Sequence, residues 1–120
     1  MRITLERFRE LVAEALDEFP AEFGQYLDNV EVVVEELPSP EIQRQFQRSP
    51  RDLLLGLYHG VPLTDRSVLG MQMPDLIYLY KRNIEAVCRS EAEIRRQIRA
   101  TILHEIGHHF GMDEDQLRGI

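Results

Sequence analysis

The stretch from Glu91 to Phe110 constrains this chain more than any other. Ile94, Ile98, Ile102, Ile106 and Phe110 recur at every fourth position. At about 100° per residue they sweep out one broad apolar face, with Leu103 beside it. Gln97, Thr101, His104 and His108 fall together on a separate polar stripe, and Glu105 lies close to it. Ser90 and Glu93 stand at the spacing of a capping box before the run, and Gly111 follows it. The pattern predicts a helix from Glu91 to Phe110 with one face for a core and another for chemistry. Arg95 and Arg99 fall inside the apolar half, so the first two turns are expected to be only partly buried.

His104, Glu105 and His108 spell H-E-x-x-H. Two histidines four residues apart lie about 40° apart on a helix, so both imidazoles can reach one metal ion. A catalytic zinc takes three protein ligands and keeps a position for water. Glu105 is placed to take a proton from that water and pass it to a leaving amine. One Zn2+ is therefore expected, with His104 and His108 as ligands and Glu105 as a general base that does not ligate. Only a short tail follows His108, which excludes a ligand from a distant downstream helix. Gly111 can turn the chain back, and three residues on stands Glu114. A carboxylate oxygen ligates zinc at ~2.0–2.2 Å, so Glu114 is the expected third ligand. Asp113 and Asp115 are its rivals. Asp113 has a competing role, since with Gln116 it is spaced to cap a last short turn from Glu114 to Arg118.

The rest of the chain reads as a scaffold. Thr4 is placed to cap a helix whose buried stripe is Phe8, Leu11, Val12, Ala15, Leu16 and Phe19, stopped by Pro20. Val30–Glu35 is a β-branched run and reads as a strand. Ser39 and Pro40 open either a short helix or a loop over residues 41–48. Leu53–Tyr58 reads as a second strand that contains or ends near Gly56, and residues 64–70 as a polar turn. Leu76–Tyr80 is a third strand, broken by Lys81-Arg82-Asn83, with a short helical turn around Ile84 to Val87. The order implies an α+β fold in one domain over residues 1–120: a small sheet of three or four strands with helices packed on it.

Composition closes off other classes. Fourteen basic against 21 acidic residues give a formal net charge of −7, which argues against a nucleic-acid binder. The cluster of Arg89, Arg95, Arg96 and Arg99 reads as a solvated helix face. Cys88 is the only cysteine, so an internal disulfide is excluded and a small buried hydrophobe is expected. Met1–Arg7 lacks the pattern of a signal peptide, and no run is long and apolar enough to span a membrane. A cytoplasmic protein is expected. His109 falls among the apolar residues of the wheel and reads as a hydrogen-bonded, partly buried histidine, or as a brace for the site. His59 reads as a loop histidine. Tyr58, Tyr78 and Tyr80 read as sheet aromatics, with a transition-state donor as the alternative.

His104-Glu105-Ile106-Gly107-His108-His109-Phe110-Gly111 with its acidic tail resembles the minimal zincin-like family of small bacterial proteins. Gly56-Leu57-Tyr58, Gly60-Val61-Pro62-Leu63 and the Asp75–Tyr80 strand are similar to that family too. The resemblance implies a zincin-like fold: a short mixed sheet, an N-terminal helix, an active-site helix and a cleft along the sheet edge. It also implies a zinc metallopeptidase. Where the family more usually carries aspartate at the acidic ligand position, this chain carries Glu114, one methylene longer. The expected substrate is a short peptide or a protein tail lying along the edge strand, acted on by a monomer or weak homodimer. A non-catalytic zinc or peptide-binding module is the alternative. A metal-dependent RNA-processing role is weaker, because of the net charge and the motif glutamate.

Overall fold

The structure, a computed structural model, describes residues 1–49, 51–60, 73–118 and 120. The Thr4 side chain accepts a hydrogen bond from the Arg7 N–H and starts α1, Leu5–Asp17. This helix buries Phe8, Leu11, Val12 and Ala15 of the six-residue stripe its spacing predicts, while Leu16 is half-buried and Phe19 is buried beyond the helix end. A 3-10 turn (Ala21–Phe23) and a one-turn helix α2 (Gly24–Leu27) carry the chain to strand β1, Val30–Glu35. Phe19 stacks on Phe23 across that corner, with ring centroids 4.6 Å apart. Ser39 caps α3, Pro40–Phe46, with proline in its first turn, so the segment after Pro38 starts as a helix. Then follow β2 (Gly56–His59), β3 (Asp75–Tyr80), α4 (Lys81–Ala86), α5 (Glu91–His109) and α6 (Glu114–Arg118).

The described strands form one mixed sheet in the order β1-β3-β2. β1 runs parallel to β3 and β2 antiparallel to it, so Ile77 lies between Val32 and Tyr58. One face, with Val30, Val32, Val34, Ile77 and Leu79, turns to the core. β1 lies at a sheet edge, and Glu31 and Glu35 on it are exposed. α5 packs against β2, β3 and α1 and closes the core. The architecture is a three-stranded α+β fold with an N-terminal helix and a long motif helix. No described helix is long and apolar enough to cross a membrane.

Three local expectations shift. β2 starts at Gly56 instead of spanning the apolar run from Leu53. Lys81-Arg82-Asn83 forms the first turn of α4. Two of its three polar side chains are buried with partners: Lys81 Nζ donates to Glu85 Oε2 at 3.1 Å, and Asn83 donates to the Leu54 carbonyl at 2.8 Å, while Arg82 stays exposed. Such pairing is what makes a buried charge tolerable. The first turns of α5 are buried in full at Ile94 and Ile98, both 0% exposed. The two arginines that break the stripe reach out along its margin instead. Arg95 pairs with Glu18 at 3.0 Å, and the Arg99 guanidinium lies 4.9 Å over the Phe19 ring. Cys88 is buried, as expected for a small hydrophobe. The polar turn expected at residues 64–70 lies outside the described residues.

Candidate metal centre

The motif helix ends in a sharp reversal. Gly111 has φ 68°, the only positive φ among the described residues. The Met112 N–H donates to the Gly107 carbonyl at 2.7 Å and the Gly111 N–H to that of His108 at 3.3 Å. Together these two bonds make a Schellman turn, which needs a left-handed residue after the helix. Asp113 and Gln116 then cap α6 reciprocally, each side chain accepting the other's backbone N–H at 2.8 Å. Leu117 folds back onto α5 over Gly107, where an added Cβ would stand 2.8 Å from Leu117 Cδ2. Two glycines therefore return the acidic tail to the helix that carries the histidines.

His104 and His108 lie one turn apart on an exposed face of α5. His104 Nδ1 lies 2.8 Å from the Ala100 carbonyl. A proton shared there leaves Nε2 with a lone pair, the arrangement a metal-ligating histidine uses. Glu105 is half-buried, and its Oε1 accepts the Tyr58 backbone N–H at 2.9 Å. Burial pushes its carboxyl above the ordinary carboxylate range, against the opposing pull of the Tyr58 N–H, His108 and His104.

Strand register explains why that N–H is available. The Leu55 carbonyl accepts the Tyr80 N–H at 2.9 Å, so Leu55, Leu57 and His59 face β3 with their backbone groups. Gly56 and Tyr58 then turn theirs the other way, toward α5 and the cleft. Gly56 permits the close approach. A Cβ there would stand 2.6 Å from Thr101 Cγ2 and 2.8 Å from the Tyr78 carbonyl oxygen. Gly56→Ala is expected to destabilise the protein by about 1–3 kcal/mol through overpacking. It should also pull Tyr58 away from Glu105. Urea denaturation would measure the first effect, and faster exchange of the Tyr58 amide the second.

Tyr58 is more committed than a plain sheet aromatic. Its hydroxyl donates to Asp75, and its ring stacks on His109 with centroids 3.9 Å apart. The Asp75 side chain is buried, and its Oδ2 lies 3.9 Å from His109 Nε2. His109 is thus a brace between β2 and the end of α5, and at 39% side-chain exposure it is less enclosed than its wheel position suggests. Tyr80 is buried, and burial pushes its phenol up to about 12. His59 is exposed at the end of β2.

Glu114, Asp113 and Asp115 are all exposed. Among the described residues, no group of three His, Cys, Asp or Glu side chains is gathered as one ion requires. The motif helix sets His104, Glu105 and His108 in one neighbourhood, and none of the three carboxylates joins them. The two imidazoles fit zinc by donor type, and a carboxylate from the tail would complete a common catalytic set. Beside Glu105 and His108 a cavity of about 390 Å³ is lined by Phe46, Leu54, Gly56, Leu57, Tyr58 and His109. Neither Phe46 nor the Tyr58 backbone is a candidate on sequence grounds. One lies in a segment with no motif, and the other acts through an amide that every residue but proline has.

No curated protein matches this chain. A solved structure, a conserved hypothetical protein from Thermo thermophilus, is similar at 28% identity, with a TM-score of 0.56. The alignment covers 97% of this chain and 98% of that one. A sequence profile described as zincin-like metallopeptidase matches residues 27–120. Because that match runs from just before β1 through the motif helix and its acidic tail, the chain belongs to the zincin-like metallopeptidase family.

Proposed function

We propose that this protein is a zinc-dependent peptidase that cleaves short peptides or exposed protein tails. The observation that carries this reading is Glu105. It is a half-buried carboxylate held by a strand N–H, with its proton affinity raised, between two exposed histidines on one helix. A general base works best when its pKa approaches the working pH, and burial moves Glu105 in that direction. His104, His108 and Glu114, the first residue of α6, would hold one zinc ion. When bound, zinc supplies a Lewis acid that polarises a carbonyl and acidifies water. Glu105 takes the proton at its carboxylate and returns it to the leaving amine, while the Tyr58 N–H keeps the carboxylate aimed. The Tyr58 hydroxyl, given to Asp75, orients the strand rather than the substrate.

A second reading is a zinc or peptide-binding module without turnover. Elemental analysis of the purified protein separates both from an empty scaffold. One zinc per chain is expected, falling to a small fraction in His104→Ala. Incubation of the zinc-loaded protein with a peptide library then decides between the two. Discrete cleavage products support the peptidase, and stoichiometric zinc without any product supports the module. Absence of stoichiometric metal at neutral pH would sink both.

A further inference from the structure

One wall of the cleft has a chemistry that holding zinc and moving a proton do not call for. Phe46 ends α3 and is 42% exposed, although α3 buries none of its residues. Leu54 and Leu57 stand beside it in the same cavity. All three lie outside the hydrophobic core cluster and the side chains packed against it. Large apolar groups left at a surface and grouped in a concavity are the usual mark of a binding site. The opposite side of the cavity carries Glu105, His108 and His109. Between the two runs Gly56, whose backbone N–H and carbonyl point away from β3.

The charges in the cavity narrow the occupant. Among the described residues that line it, the only carboxylate is Glu105, which is occupied with the Tyr58 N–H, and the only basic groups are the two histidines. An acidic side chain would meet Glu105 at close range. A basic one would find no carboxylate beyond it among the lining residues. An apolar side chain would cover Phe46 and displace water from all three hydrophobes.

We infer that this wall is a specificity subsite that seats a large apolar side chain, of leucine, methionine or phenylalanine type, next to the bond that Glu105 addresses. The inference rests on the peptidase reading for its substrate. The selected side chain falls against Phe46, Leu54 and Leu57, on the side of the cavity opposite Glu105 and His108. The small fold therefore selects by one shallow apolar contact instead of a deep pocket.

The test uses the full zinc-loaded chain and peptides that differ at a single position among Leu, Phe, Ala, Ser, Lys and Glu. Product mapping by mass spectrometry should show Leu or Phe at one fixed position from the cut, with kcat/KM about 10-fold above Ala there. Phe46→Ala should flatten that preference chiefly through KM, and Phe46→Leu should restore most of it. In parallel, Glu105→Gln protein should bind the Leu peptide about 10-fold more tightly than the Ser peptide by fluorescence anisotropy. Phe46→Ala in that background should erase the difference. Cleavage without side-chain preference, or a preference that survives Phe46→Ala, overturns the subsite while leaving the peptidase standing. If no peptide is cleaved, the peptidase reading fails. The anisotropy measurement then decides the subsite alone: an apolar preference lost with Phe46 upholds it, and equal binding of all peptides overturns it.

Discussion

Glu105→Gln is expected to keep zinc at one ion per chain and to lower kcat for peptide hydrolysis by about 10²–10⁴-fold, the usual contribution of a positioned general base. The amide oxygen of glutamine can still accept the Tyr58 N–H, so the geometry survives while the proton acceptor is lost. Turnover at the parental rate would remove Glu105 from the mechanism. The same substitution has a second, opposite signature in metal-free protein. Burial raises the Glu105 pKa in the folded state. Stability from such a group is fully present below its unfolded pKa and is lost as pH rises through its folded pKa. At neutral pH the ionised carboxylate is therefore a cost, and glutamine removes it. Glu105→Gln should melt at a higher temperature than the parent at pH 7, and the advantage should vanish below the ordinary carboxylate range. Thermal scans in the presence of a chelator would check the sign.

The second large effect concerns the tail. Glu114→Ala is expected to weaken zinc binding by at least about 100-fold, since loss of outer-shell partners alone costs 10–100-fold. Asp113→Ala removes a helix cap and should cost about 1 kcal/mol of stability with a smaller change in zinc affinity. Asp115→Ala should change either quantity little, because Asp115 is exposed and pairs only loosely with Arg118 at 3.6 Å. Competition titrations with a chromogenic chelator give the affinities. If Asp115→Ala carries the large loss instead, the ligand assignment moves by one residue and the fold of α6 around zinc must differ from the one described.

Local chemistry is what made the chain legible. Thr4, Ser39, Ser90 and Asp113 each hold the N–H three residues ahead, and a bond that short in sequence can be read without a fold. β1 was equally plain, because three consecutive valines have few other homes. The paired histidines followed from helical spacing alone. What stayed hidden depends on distance along the chain. The bond between Tyr58 and Glu105 joins residues 47 apart and comes from a backbone amide, which carries no sequence signal. Lys81 looked like a strand breaker, because a charge reads as exposure until its partner is seen four residues on. The third ligand is harder still, because Asp113, Glu114 and Asp115 are adjacent, alike in chemistry and all exposed, and nothing local in the sequence separates them.

The outer edge of β1 has a bearing on how this chain survives at high concentration. No described strand pairs with that edge, and three valines in a row are a ready template for another copy. If two such strands met antiparallel about Val33, Glu31 of each would stand opposite Glu35 of the other. Like charges directly opposed disfavour a ladder. The two glutamates therefore oppose edge-to-edge pairing of two copies at the outer side of β1.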